Sequence, residues 1–341
     1  AVSLAVFLTR FKYAKHQQPL ESPLSREAAF LVNNLLLLTV AFVTLWGVVF
    51  PIISEIFEGK TVTVGAPFYN QVNGPILLGL VFLMAVGPLL PWRHASISNI
   101  RRAFIWPLIA FIVVAVLLYV TGIRNLYALI SFGTCAMVVT GILREWISGT
   151  KSTYNKNTRN YLFAFFHLIF SNRPRYGGYI VHLAIVALSL GVIGTSFYSE
   201  QQDVVLSKGE SVTLNDYTIT YIDQSSATKS DHKLQIAEID LSKNNVHIAT
   251  LEPWKAFYPA FNMISTRAAI RSTPLEDFYI IYSEDIDREK ALFRIYINPL
   301  MMWIWIAGPL LILGALVSLW PQQNVGKKQP EETDDRLYNE D

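Results

Sequence analysis

A single cysteine, Cys135, is all the thiol chemistry available in 341 residues. That excludes a disulfide within the chain and a cysteine-rich metal site. Cys135 itself lies in an apolar run and reads as a small packing residue. Charge is scarce and balanced. Lys and Arg number 28 against 26 acidic residues, a net charge of +2, so no basic excess marks a nucleic-acid partner. Phosphate-binding glycine loops and zinc-binding helix motifs are missing. The acidic residues are scattered, and no pair of them suggests acid–base chemistry. No cleavable signal pattern opens the chain.

Apolar residues, by contrast, make up 52% of the chain and gather into runs long enough to cross a bilayer. The expected class is a polytopic α-helical membrane protein with an inserted, small, extracytoplasmic all-β domain, a sandwich or a barrel. Spans are expected over 28–53, 74–92, 104–121, 126–146, 179–198 and 299–320. Residues 1–8 are too short to span and read as the tail of a truncated transmembrane helix. The chain is therefore expected to be the C-terminal part of a larger protein, or a split subunit. The segment 54–73 reads as a loop. The aromatic stretch 161–170 reads as a helix lying on the membrane surface, with His167 as its polar tip. Of the adjacent amides Asn33 and Asn34, at least one is expected to bond to another helix, since they point about 100° apart.

Basic residues set the orientation. The segments holding Arg10, Arg93 and Arg144, and the tail with Lys327, Lys328 and Arg336, alternate with segments holding only Lys60 and Arg124. The basic side is cytoplasmic, including the tail over 321–341, and 199–298 lies outside the cytoplasm. Trp106, Trp146 and Trp320 at inner ends, with Trp46, Trp303 and Trp305 at outer ends, read as an aromatic belt. The outside segment is rich in β-branched and aromatic residues, as over 211–214, 217–222, 234–241, 246–251, 268–270, 278–282 and 292–297. Asn244-Asn245 reads as a hairpin turn. His232 and His247 read as surface residues.

The stretch Arg173-Pro-Arg-Tyr-Gly-Gly-Tyr-Ile-Val-His182 organises the rest. An ionisable residue inside a bilayer helix is a functional candidate, because its burial is costly without a partner. Imidazole is also a common protein ligand for iron. Gly178, four residues before His182, shares its face and leaves room for a flat ligand; Ser189 lies on that face one heptad on. Ala184, Ala187, Gly191 and Gly194 form a second stripe suited to close helix contact. Arg173 and Arg175 lie near the depth of His182 and suit pairing with carboxylates, or serve as membrane anchors. Ligation and satisfied packing both remain open for His182.

Several strings resemble one family. They are Ser25-Arg-Glu-Ala-Ala-Phe-Leu-Val-Asn-Asn34, Val64-Gly-Ala-Pro-Phe-Tyr-Asn70, Gly87-Pro-Leu-Leu-Pro-Trp-Arg93, Arg175-Tyr-Gly-Gly-Tyr-Ile-Val-His182 and Tyr296-Ile-Asn-Pro-Leu-Met-Met-Trp-Ile-Trp305. In order and membrane context they look like the C-terminal half of the bacterial cytochrome c-type biogenesis family CcmF/CycK/NrfE. The resemblance implies a subunit of the haem lyase that attaches haem to apocytochrome c outside the cytoplasmic (inner) membrane. It implies haem delivery from the chaperone CcmE, and CcmH-type proteins that present the apocytochrome. It also implies a permanent haem b between two transmembrane histidines, one matched by His182, that keeps the incoming substrate haem reduced. The family's tryptophan-rich segment, its two outer histidines and its first transmembrane histidine are expected upstream of Ala1, in the missing N-terminal half. Two other readings stand beside this one: a membrane scaffold without a cofactor, and a transporter, for which converging polar groups at mid-membrane are lacking.

Overall fold

The computed structural model describes residues 5–7, 9–10, 22, 25–90, 97–157, 160–287 and 289–321. Of the expected helix tail over 1–8, residues 5–7 are described, and they are helical. Arg93 and the basic tail residues Lys327, Lys328 and Arg336 lie outside the described residues.

Seven helices are labelled here: α1 (Arg26–Glu58), α2 (Ala66–Val86), α3 (Ile97–Val120), α4 (Leu126–Asn157), α5 (Tyr161–Ser171), α6 (Arg173–Tyr198) and α7 (Met302–Leu319). All but α5 are long and apolar enough to cross a membrane, six among the described residues. Local chemistry sets their ends. The Ser25 hydroxyl accepts from the Ala28 N–H at 3.2 Å and caps α1, which closes on Gly59 at φ 63°. The Asn160 side chain accepts from the Leu162 N–H at 3.0 Å and caps α5. Helices α2, α3 and α6 all begin six to eight residues earlier than hydropathy alone suggests. Gly65 with Pro67 starts α2 inside the stretch read as a loop, and Pro174 lets α6 start at Arg173. Proline fits the first turn, where its missing N–H has no helical partner anyway.

Between α6 and α7 stands a β-sandwich. One sheet runs β1 (Glu200–Ser207), β10 (Lys290–Pro299), β9 (Glu276–Asp285), β8 (Ala269–Ser272). The other runs β2 (Ser211–Leu214), β3 (Tyr217–Thr228), β4 (Lys233–Lys243), β6 (Trp254–Tyr258), β7 (Met263–Arg267), with β5 (Val246–Leu251) also on β4. Alternation places Ile219, Tyr221, Ile239 and Leu241 of one sheet against Phe278, Ile280, Tyr282 and Phe293 of the other, all essentially inaccessible. Asn244 and Asn245 take φ of 51° and 63°, the left-handed pair that a tight two-residue hairpin needs. Strands β1, β6 and β7 are additions to the sequence reading.

Strand β9 is tied to the opposite sheet at both ends. Near the membrane, Glu276 accepts from Tyr217 Oη and Lys243 Nζ, each at 2.7 Å. At the far end Asp285 accepts from Lys255 Nζ at 2.8 Å, from Gln235 at 3.0 Å, and from the Tyr282 hydroxyl. Burial opposes the charge on Asp285, but the Lys255 and Tyr282 bonds outweigh it and lower its pKa.

Helices α6 and α7 pack closely along their length through small residues. A side chain at Gly177 would begin 2.5 Å from the Ser318 backbone nitrogen, and one at Gly314 would begin 2.7 Å from that of Val181. Gly191 faces Ile304, and Gly194 faces Pro299 and Leu300. The small-residue stripe read from the sequence is thus the α6–α7 contact, with Ala184 and Ala187 buried beside it. Other expectations differ. Among the described residues neither Asn33 nor Asn34 has a hydrogen-bond partner; Asn34 is exposed. Trp146 packs edge-to-face on Phe165 of α5, centroids 5.7 Å apart. His232 is half-buried against Tyr258, ring centroids 5.0 Å apart, rather than on the surface.

Two outcomes follow from this packing. Gly314→Leu places a branched side chain against the α6 backbone, which no rotamer relieves, and is expected to destabilise the chain by about 1–3 kcal/mol; thermal unfolding followed by tryptophan fluorescence reads the loss. Asp285→Asn is expected to cost about 2 kcal/mol at pH 7, the value of a charge-assisted network. Because the folded pKa of Asp285 is depressed, its contribution is complete above the unfolded value of about 3.9 and disappears as pH falls through the folded value. The gap in unfolding temperature between wild type and Asp285→Asn should therefore narrow below about pH 4.

Candidate cofactor site

Helix α6 presents three faces. One carries Gly177, Val181, Gly191 and Gly194 onto α7. A second carries Tyr179, Val186 and Ile193 into a core shared with α4 and α2, where Val138, Ile142 and Ala85 are buried. Between the α4 contact and the open flank lies His182. Its ring is half-buried, and its Nδ1 is buried without a hydrogen-bond partner. The flank itself is open: a side chain at Gly178 would meet nothing within 4 Å. A buried polar atom left unpaired costs about 1–3 kcal/mol, so the imidazole lacks something that this chain's described residues do not supply.

One turn toward the helix start, Tyr179 stands with its ring centroid 6.5 Å from that of His182, tilted by 58°. The Tyr179 hydroxyl accepts from Arg175 Nε at 3.1 Å. The Arg175 guanidinium also pairs with the Glu145 carboxylate of α4. Arg175, Tyr179 and His182 follow each other at four- and three-residue steps, so they form one file along the helix. Arg175 lies seven residues from His182, about 10 Å along the axis.

The other expected site residues divide. Gly178 borders His182 and keeps its flank open, as its spacing predicts. Ser189 shares that face, but its hydroxyl donates back to the Ile185 carbonyl at 2.8 Å, in the helix's own ladder. Arg173 is a correction. Nine residues from His182 is half a turn out of phase, and its NH1 donates to the Pro321 carbonyl at 2.7 Å, just past the end of α7. It anchors the α6–α7 pair rather than facing the site. The sequence reading also missed two members. Tyr179 was visible in the spacing, three residues before His182. Glu145 was visible only as a lone carboxylate in a basic stretch; that it meets Arg175 depends on tertiary packing. His167 is exposed on α5 and stacks on Phe163, centroids 6.2 Å apart. Among the described residues no cluster of His, Cys, Asp and Glu could hold a metal ion.

For a haem, the residues fit on one side. A nitrogen base on a rigid helix adjoins an open flank with no side chain to block a flat macrocycle, and a polar atom waits for a partner. A single imidazole completes only half of an axial pair.

A multi-pass helical bundle carrying a β-sandwich between its last two spans, with one buried histidine on the first of the two, defines an integral membrane protein with an extramembrane domain. Residues 197–299 match the CcmF C-terminal beta-sandwich family. Over 301 residues the chain is 29% identical to the cytochrome c-type biogenesis protein ccl1 of Rhodobacter capsulatus, covering 87% of this chain and 44% of that protein. It is 25% identical over 312 residues to CcmF of Escherichia coli, covering 91% and 46%. Among solved structures it matches a cytochrome c heme lyase CcmF with a TM-score of 0.70 at 25% identity, covering 88% of this chain and 46% of that one. The chain is similar to the C-terminal portion of the CcmF/CycK/NrfE proteins, and its β-sandwich matches the domain they carry there. It spans just under half the length of these relatives.

Proposed function

We propose that this chain acts in cytochrome c maturation, as the C-terminal part of the membrane haem lyase that joins haem covalently to apocytochrome c. In this reading His182 would ligate a haem b held within the membrane. The second ligand comes from the portion of the family protein that this chain does not span. The observation that carries the reading is the buried, unpartnered Nδ1 of His182 beside the open flank at Gly178, in a chain similar to this family. The haem chaperone CcmE, CcmH-type proteins and the apocytochrome are the proposed partners, and the β-sandwich stands on the extracytoplasmic side where they act.

When bound, a haem with two histidine ligands supplies one-electron transfer rather than oxygen chemistry. The chain's own residues set the conditions. Packing against α4 and α7 fixes α6, and so the depth and direction of the imidazole. Gly178 leaves the flank open for the macrocycle. Tyr179 closes the α4 side and excludes water there. Arg175, paired with Glu145 of α4, carries a positive charge one heptad from His182 and would help hold a haem propionate beside that pair.

The decisive measurement is a reduced-minus-oxidised spectrum with a pyridine haemochrome assay on the full-length family protein that contains this chain. A low-spin b-type signal in wild type, lost in His182→Ala, is the expected result. An unchanged signal places the ligand elsewhere, and no haem in either sample leaves the scaffold reading. Gly178→Leu provides a second check. It meets open space, so the protein should fold with an unaltered thermal midpoint while haem retention falls at least tenfold; full retention would remove Gly178 from the site.

A further inference from the structure

At the end of the bundle opposite the β-sandwich, α3 and α4 diverge around a cleft of about 280 Å³. Its lining combines two kinds of surface. Leu89, Ala103 and Gly141 form an apolar floor; Arg102, Arg144 and Ser148 supply donors. Glu145 also borders it, but its charge is matched by Arg175. The cleft therefore carries two uncompensated positive charges, Arg102 and Arg144. Arg144 is oriented from behind, since its NH1 donates to the backbone carbonyls of Arg102 and Ala103 at 3.3 and 3.0 Å. One arm of the guanidinium is used to brace α3 against α4, and Arg144 at the same time lines the cleft. Arg102 stands exposed on the facing helix.

The surroundings favour one kind of occupant. One turn deeper along α3, Ile105 and Trp106 are 45% and 57% exposed. Paired cations at the membrane edge, above bare apolar side chains that continue into the bilayer, match a molecule with an anionic head and hydrocarbon tails. Guanidinium groups bind phosphate by paired N–H donation, and basic clefts between transmembrane helices are suited to anionic headgroups.

We infer that the Arg102–Arg144–Ser148 cleft binds the phosphate of an anionic glycerophospholipid. Arg102 and Arg144 take the phosphate oxygens from α3 and α4. Ser148, one turn beyond Arg144, donates to the headgroup, and the acyl chains run down past Trp106. The bound lipid bridges α3 and α4 at their diverging ends. This site is separate from the open flank of His182, and its test does not depend on haem.

Native mass spectrometry on the full chain in detergent decides it, after incubation with phosphatidylglycerol, phosphatidylcholine or inorganic phosphate. Retained phosphatidylglycerol adducts are expected, at least tenfold fewer in Arg102→Gln and in Arg144→Gln. Arg124→Gln, at the opposite end of the α3–α4 hairpin, should leave them unchanged. If Arg144→Gln disturbs folding because its brace is lost, Arg102→Gln decides alone. Equal retention of phosphatidylglycerol by Arg102→Gln overturns the proposal. So does equal retention of phosphatidylcholine, and so does displacement of the lipid by inorganic phosphate, which would make the cleft a free-anion site.

Discussion

The glycine-lined contact between α6 and α7 is the constraint on which the rest depends. In a bilayer, hydrocarbon side chains gain nothing by leaving lipid for another helix, so association comes from close backbone approach. Gly177, Gly191, Gly194 and Gly314 permit that approach, and in each case a larger residue would run into the partner helix. The contact also decides what is left over. With one face of α6 committed to α7 and a second to α4, His182 falls at the margin where Gly178 leaves space.

Polar groups are handled differently in the two halves of the molecule. In the helices they are bound to their own ladder, as with Ser189 and Thr134, or reach across to a neighbouring element, as Arg175 does to Glu145 and Arg144 to Ala103. His182 Nδ1 is among the buried atoms that make neither kind of bond, and an unpaired ionisable group inside a membrane points toward a partner. In the sandwich, half-buried carboxylates serve as rivets between the sheets, with Glu276 and Asp285 at opposite ends of one strand. Each holds a lysine and a tyrosine from across or along the core, so one acidic group satisfies several donors at once.

The long apolar runs made the helices legible, because bilayer thickness leaves few alternatives for such segments. The helix starts at Ala66 and Arg173 were not, since proline and glycine there act as first-turn residues rather than breakers. Strands with buried β-branched and aromatic residues, such as those holding Ile239 and Ile280, were readable for the same reason of composition. Strand β1 begins Glu-Gln-Gln-Asp and gains its identity from pairing with β10, while β6 and β7 form an edge with exposed Phe257 and Ile264. Their signal is tertiary. At the site, His182, Gly178 and Tyr179 could be found by helical spacing. The face of Arg173 depended on where α6 starts and on what α7 covers, and the role of Glu145 on which helices touch.

The pairing of Glu200 with Ile297 has a consequence for the order of assembly. In the unfolded chain, the residues that must bring α6 to α7 are separated by the whole sandwich, and closing a loop of that length costs roughly 4 kcal/mol in chain entropy. Once the sandwich folds, β1 and β10 lie side by side, and the Ser199 hydroxyl donates to the Asn298 side-chain oxygen at 2.5 Å just beneath them. The two chain ends then leave the domain as neighbours, already aimed into the membrane. The folded sandwich therefore acts as a clasp, holding the two transmembrane helices that flank it at a high effective concentration for one another.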